Sequence, residues 1–370
     1  MKSNVVLFCG DVATSPYSCE SFRNGDLETL FNDILPLMQN TDNVIVNLEC
    51  ALTEKDTKIK KIGPNLKSPI ETAETLKKAG VTACGLANNH SFDYGLAGMK
   101  DTFAALDAAG IAHFGSGYNE EEACKPYFFE AGDKKIAVIA VVEHEYTFAI
   151  DDRPGAARFD PFDTMVRIRD AKKEADYVVI MYHGAKEQCE YPSPRMRKAC
   201  RAFAEFGADL VLCQHSHIIG TVEHYGDSVF VYGQGNFHFI KYLNFKGWDT
   251  GLIARVTFGD KMDVELLPVG SDENGIFLLT GEEGEKIMAD MEARNRTIED
   301  GTWIKGWEEF VESKKESYTK VVYDAGHGED PDYAIEYFAH YLACEAHTDV
   351  WRTLFPNWHA AGLSDTSEEA

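Results

Sequence analysis

"GLANNHSFDYG", residues 85–95, closes the apolar run 81–87 with Asn88, Asn89 and His90, followed by Asp93 and Gly95. Asparagine is a poor strand former, and two in succession mark a turn. A strand that ends in amides and an imidazole is either a polar loop leading into a helix or a place where those groups hold an ion. Other strand-like runs in the chain end in the same way. Residues 5–9 lead to Asp11, 44–46 to Asn47 and Glu49, 177–181 to His183, and 210–213 to His215-Ser216-His217. A lone Asp in such a place is more often a helix cap, and a lone His a hydrogen-bonded loop residue. His-x-His is stronger, because in extended chain both rings fall on one side and can grip one ion or straddle two. Ligands of open α/β sheets bind at the carboxyl ends of strands. Five endings of one chemical kind favour the ion-binding reading.

The runs at 5–9, 44–48, 81–86, 136–142, 177–182 and 210–213 alternate with helical patterns at 27–38, 70–79, 96–109, 162–175 and 195–206. Gly80, Gly110 and Gly207 follow three of those helices, as C-cap residues do. This rhythm predicts an α/β fold. The runs 228–232, 251–258 and 264–269, joined by short turns, predict a second, more antiparallel sheet packed on the first. From residue 281 the chain turns acidic and helical. We therefore divide it into 1–280 and a helical C-terminal appendage, 281–370, ending in a frayed tail at 364–370. Trp303, Trp307 and Phe310 fall on one helix face. Such a face must be buried, and the expected partner is the chain's own sandwich, with the wall of a substrate pocket as one place for it.

Composition narrows the function. A net charge of −25 over 370 residues excludes a basic face for nucleic acid or an anionic membrane surface. No stretch reaches the length of a transmembrane helix, and the first residues lack the pattern of a secretory signal. The nine cysteines are odd in number and scattered, reading as small buried hydrophobes in a reducing compartment. The expected location is cytoplasmic.

Asp11, Glu49, Asn89, His183, His215 and His217 mix hard oxygens with imidazoles. A structural zinc takes four ligands, often thiolates. The mixed set suits one or two divalent ions such as Mn, Fe or Zn, a pair lying about 3.5–4 Å apart. Other residues have two readings each. Asn236, flanked by Gly235, contacts substrate or packs behind the site. Lys67, in "GPNLKSP", reaches substrate or is plain loop. Arg195 and Arg197 bind an anion or form a solvated helix face, the second being favoured. His340, His347 and His359 read as surface or core polar groups. The aromatic "FPNWH", residues 355–359, would make a homodimer contact if exposed, burial on the main domain being simpler.

The motifs Gly10-Asp11-Val12, Asn47-Leu48-Glu49, Ala87-Asn88-Asn89-His90, Asp93-Tyr94-Gly95 and Gly235-Asn236-Phe237 occur in order. Over residues 4–240 the chain resembles the CapA-type proteins of capsule and poly-γ-glutamate synthesis, a branch of the calcineurin-like metallophosphatases. That resemblance implies a two-sheet αββα sandwich with metals at the strand ends. It implies Asp11, Asn89, His183, His215 and His217 as ligands and Glu49 as a bridge. His90 is implied to be a catalytic acid or positive charge; Asp93 either holds its other nitrogen and raises its pKa or caps the helix through Leu96. His183-Gly184-Ala185-Lys186-Glu187 keeps the His and Glu of a family element but not its Trp, which places Glu187 near substrate. Ala13 stands where ordinary metallophosphatases carry a further His, so one metal has a protein ligand fewer. Two functions follow. One is a metal-dependent, phosphoesterase-like hydrolase acting on a small-molecule or γ-glutamyl substrate. The other is a weakly catalytic or non-catalytic accessory protein of poly-γ-glutamate assembly.

Overall fold

In the computed structural model, which describes residues 3–143, 145–273 and 275–356, the strand Val5–Val12 is buried over nearly its whole length. Its side chains alternate between two cores, as the two-residue period of a strand requires. Val6 and Phe8 meet Val138, Val179, Leu210 and Leu212 of a second sheet. Leu7 and Cys9 face the opposite way, onto Phe22, Leu30, Leu76 and Leu106 of covering helices. The second sheet repeats the arrangement. Ile139, Ile180 and Val211 turn outward onto Ile168 and Phe203 of the helices Pro161–Lys172 and Pro194–Glu205. Burial on both faces explains why these strands read as continuous apolar runs. The result is the expected α/β sandwich of helices, sheet, sheet and helices.

In the first sheet, Val5–Val12, Asn43–Leu48, Ala83–Gly85 and Ala112–Phe114 run parallel. On its other side, Thr250–Phe258, Met262–Asp272 and Gly275–Leu278 continue it antiparallel. Asn236–His238 adds a short parallel strand beside Asp11 and Val12. In the second sheet, Lys134–Val142, Tyr177–His183, Leu210–Gln214 and Ser228–Val231 run parallel between antiparallel edges at Tyr127–Ala131 and Val222–Tyr225. The separate antiparallel sheet expected from 228–269 is therefore not formed. Residues 228–231 join the second sheet, and the two hairpin strands after them complete the first.

The helix expected over 27–38 is broken into Leu27–Phe31, a 3-10 turn at Asn32–Ile34 and Leu35–Gln39. Asn32 has a positive φ of 40°. Pro36 is the cause, because in an uninterrupted helix its ring would clash with the carbonyl four residues earlier, that of Asn32.

Helices Gly281–Glu299, Trp303–His327, Pro331–Ala343 and Glu345–Leu354 follow the sheets. Trp303, Trp307 and Val311 pack with Tyr318, Val350 and, from the loop after His183, Cys189. Arg195 ties the same region together. Its Nε lies 3.0 Å from both oxygens of Asp349, and its guanidinium 2.5 Å from the buried Glu143. Arg197 pairs with Glu223 at 2.9 Å, beside Arg201. The helix face carrying Arg195 and Arg197 is thus paired and half-buried rather than solvated. We predict that Asp349→Ala costs about 1.5–3 kcal/mol of stability, the scale of a lost hydrogen bond to a charged group, because Arg195 keeps Glu143 as a partner. Urea unfolding measures it, and a loss below about 0.5 kcal/mol, the scale of an ordinary surface change, would show the pair to be inert.

No helix among the described residues is long and apolar enough to cross a membrane. Trp358 and His359 of "FPNWH" and the tail 364–370 lie outside the described residues.

Candidate metal centre

The parallel strands of both sheets deliver their carboxyl ends to one edge. There Asp11, Glu49 and His183 place ligand atoms within 4.8 Å of one another, and Glu49, His215 and His217 form a second such group. All five side chains are buried, and Glu49 belongs to both groups. Its Oε1 lies 3.4 Å from His183 Nε2 and 3.9 Å from His217 Nε2. Neither Glu49 oxygen has a hydrogen-bond partner among the described residues. Asn89 Oδ1 approaches His183 Nε2 to 2.8 Å, which brings the sixth donor to the same place.

Local backbone explains how the imidazoles reach inward. The strand ends at Gln214, and the chain then turns sharply, with φ of 80° at His215 and 56° at His217. The extended His-x-His expected from sequence is thus replaced by two left-handed residues, each costing roughly 1–3 kcal/mol. The turn sets the rings 5.8 Å apart. Asn236 Oδ1 lies 2.9 Å from His217 Nδ1, and its amide donates to the Trp248 carbonyl, so Asn236 orients a ring. Asn47 donates to Asp11 at 2.6 Å and lies 3.1 Å from His183 Nδ1. Asn88 donates to Asn47 Oδ1 and the Leu48 carbonyl, fixing the loop that carries Asn89 and His90. Both asparagines belong to the motifs, yet only their neighbours were singled out. An amide that positions and an amide that ligates look alike in sequence.

The electrostatics describe a site built for a cation. Burial, then the nearby Glu49, raises Asp11 to about 6. Burial also raises Glu49 and lowers His183 to about 4. His217 behaves differently: burial pushes it down, but Glu49 and Asp11 outweigh that and raise it. Carboxyl groups whose pKa values burial raises, and a buried oxygen pair without donors among the described residues, suit a bound cation. The residues fit one or two divalent ions.

His90 sits beside this group, its Nε2 4.0 Å from Glu49 and its Nδ1 2.6 Å from Asp93 Oδ2. Asp93 does not cap the following helix. Its carboxylate instead also accepts from the Leu66 amide and the Lys61 ammonium. Asp93 acts to raise the His90 pKa, yet the net shift is downward. Burial first, and then Lys61, push it down and outweigh Asp93.

Lys67 is not brought to the site. Its ammonium donates to the Lys55 carbonyl at 2.9 Å and lies over the Tyr94 ring. Lys61 takes that place, donating to the Asn89 carbonyl at 3.0 Å and to Asp93 at 2.5 Å. The run of lysines before "GPN" was the available signal. Glu187 is on the rim, 3.9 Å from His215 Nε2.

A cleft of about 630 Å³ opens over His90, His215 and His217. His340 and His347, expected as general polar groups, line it together with Tyr337.

The sequence profile described as "Bacterial capsule synthesis protein PGA_cap" matches residues 5–241. The chain is 29% identical over 240 residues to the PGA biosynthesis protein CapA of Bacillus subtilis, covering 63% of this chain and 62% of that one. It is 29% identical over 239 residues to the capsule biosynthesis protein CapA of Bacillus anthracis, covering 62% and 58%. A probable polyglutamine synthesis accessory protein of Mycobacterium tuberculosis is 24% identical over 221 residues, covering 56% of this chain and 58% of that one. The chain therefore spans about 60% of the length of these curated relatives. Among solved structures, a putative 5'-nucleotidase from Staphylococcus aureus aligns with a TM-score of 0.46 at 16% identity, covering 78% of this chain and 58% of that one. A dimetal phosphatase from Danio rerio aligns with a TM-score of 0.37 at 8% identity, covering 76% and 99%.

Proposed function

This chain belongs to the bacterial capsule synthesis protein family PGA_cap, and we propose that within it the chain is a metal-dependent hydrolase of phosphoesterase type. The observation that carries this reading is Glu49, a fully buried carboxylate without a hydrogen-bond partner among the described residues, shared by two groups of donors. A buried charge is tolerated when a counter-charge completes it. Asp11, Glu49, Asn89, His183, His215 and His217 would hold one or two ions of the Mn, Fe or Zn class. When bound, such ions supply an activated water and an electrophilic clamp for an anionic oxygen.

The chain's own residues supply the rest. His90 delivers a proton from Nε2 to the departing oxygen, while Asp93 and Lys61 hold the opposite side of the ring. Asn236 keeps the His217 ring in place. Glu187, on the rim of the cleft, contacts substrate. We assign these roles to a unit of residues 1–280, with 281–370 as its helical appendage, acting in the cytoplasm on a small-molecule or γ-glutamyl substrate.

A second reading has one observation in its favour. Ala13, two residues past Asp11, is buried and carries no ligand atom. A site short of one ligand suits an accessory protein of poly-γ-glutamate synthesis that binds metal without turning over substrate. One assay separates the two. Purified protein with Mn added is expected to hydrolyse p-nitrophenyl phosphate or bis-p-nitrophenyl phosphate. Metal-loaded protein inert toward both, and toward γ-glutamyl peptides, would overturn the hydrolase and leave the accessory reading.

A further inference from the structure

The cleft over the metal centre has two walls of different origin. On the sandwich side stand Phe239, Tyr242 and Trp248, with Phe239 and Trp248 5.0 Å apart and Trp248 4.6 Å from the His217 ring. On the other side stand Tyr337, Tyr341 and His347, contributed by the helices Pro331–Ala343 and Glu345–Leu354. Tyr341 stacks on His347 at 3.9 Å and meets Tyr337 at 5.0 Å. These three lie beyond residue 241, where the family match ends.

With the buried Phe239, Trp248 and Tyr341 packed behind them, Tyr242 and Tyr337, each half-buried, bring ring surface to the cleft from its two sides. Its cations are few. Lys61 already lies on Asp93, and Lys186 stands next to Glu187. A polyanion with a carboxylate on every residue would find little to neutralise it there, on a chain of net charge −25. The volume of about 630 Å³ is that of a small-molecule pocket. We infer that the C-terminal helices complete a ring-binding subsite, so that the centre takes a small anionic ester whose non-reacting part is an uncharged planar ring. The inference rests on the proposed metal site only for the anionic end of the ligand.

The test is calorimetric binding of phenylphosphonate and methylphosphonate to the full-length, Mn-loaded chain. The two probes share the anionic end, and only the first carries a ring. Phenylphosphonate is expected to bind about tenfold tighter, the scale of one good aromatic contact plus its buried area. Tyr337→Leu and Tyr242→Leu keep apolar bulk and remove a ring from either wall. Each is expected to shrink the preference several-fold and leave methylphosphonate binding unchanged. Equal binding of the two probes, binding of neither, or a preference that survives both variants would overturn the inference. Its failure is distinct from failure of the hydrolase reading, which is decided by turnover of p-nitrophenyl phosphate and not by ring preference.

Discussion

His90→Ala is expected to keep its bound metal and lose about 10²–10⁴-fold in turnover, the contribution of a positioned acid–base group. The reason is placement. His90 Nε2 approaches Glu49 at 4.0 Å, beyond hydrogen-bond distance, while Nδ1 is committed to Asp93. Its ring can be removed without taking a ligand from Asp11, His183, His215 or His217. The loss should depend on the leaving group. An alkyl phosphate needs a proton on the departing oxygen, whereas p-nitrophenolate leaves without one. The defect is therefore expected to be large on the alkyl ester and small on p-nitrophenyl phosphate. Equal defects on both esters would remove His90 from the role of proton donor, and loss of metal would make it a ligand.

Glu49→Gln is expected to act in two opposite directions. With metal present it removes the one carboxylate common to both donor groups, so affinity should fall by at least about 100-fold, beyond the range typical of outer partners. Without metal it replaces a buried carboxyl group that has no hydrogen-bond partner among the described residues. The metal-free variant should then be more stable than metal-free wild type, melting several degrees higher for a gain of about 1–3 kcal/mol. Asp11 supplies the pH counterpart. Its folded pKa of about 6 stands above the ordinary value of 3.8. A carboxyl raised on folding costs stability that is fully present above about pH 6 and is relieved as pH falls toward 3.8. His183, lowered from 6.5 to about 4, contributes stability that is lost over nearly the same window. The two oppose each other, so metal-free wild type should show little net change there before general acid unfolding sets in. Thermal melts of stripped protein measure both effects. A metal-free Glu49→Gln chain less stable than wild type would mean that Glu49 is held by contacts of its own.

How much of this was legible in the sequence follows the range of the interactions involved. Asp11, Glu49, Asn89 and His183 each follow a strand within a few residues, so local pattern suffices to place them at one edge once the strands are parallel. Pairing is a different matter. Nothing local distinguishes a strand that opens a new sheet from one that extends an old one. Hence residues 251–258 were expected in a second sheet, although they pair with Val5–Val12 across the whole domain. The break at Asn32–Ile34 was readable, since Pro36 forbids a continuous helix. Lys67 was the lysine expected to reach substrate, but Lys61 and Lys67 share one loop, and only the fold of that loop decides which turns inward. The far wall of the cleft was hardest. Tyr337 lies in a stretch, 332–344, whose aromatic residues have helical spacing, and His347 stands beyond it; such patterns say that a face is buried or covered. They do not say that the face closes over His90, some 250 residues earlier in the chain.

The central claim is that the buried cluster around Glu49 holds divalent metal. Titration of metal-stripped protein with Mn, followed by calorimetry and by the shift in melting temperature, tests it most directly. The account predicts saturable uptake of one to two equivalents, a melting temperature that rises with Mn concentration as linkage requires, and loss of both responses in Glu49→Gln. A folded wild-type chain that takes up neither Mn nor Zn, and melts at the same temperature with and without them, would contradict it.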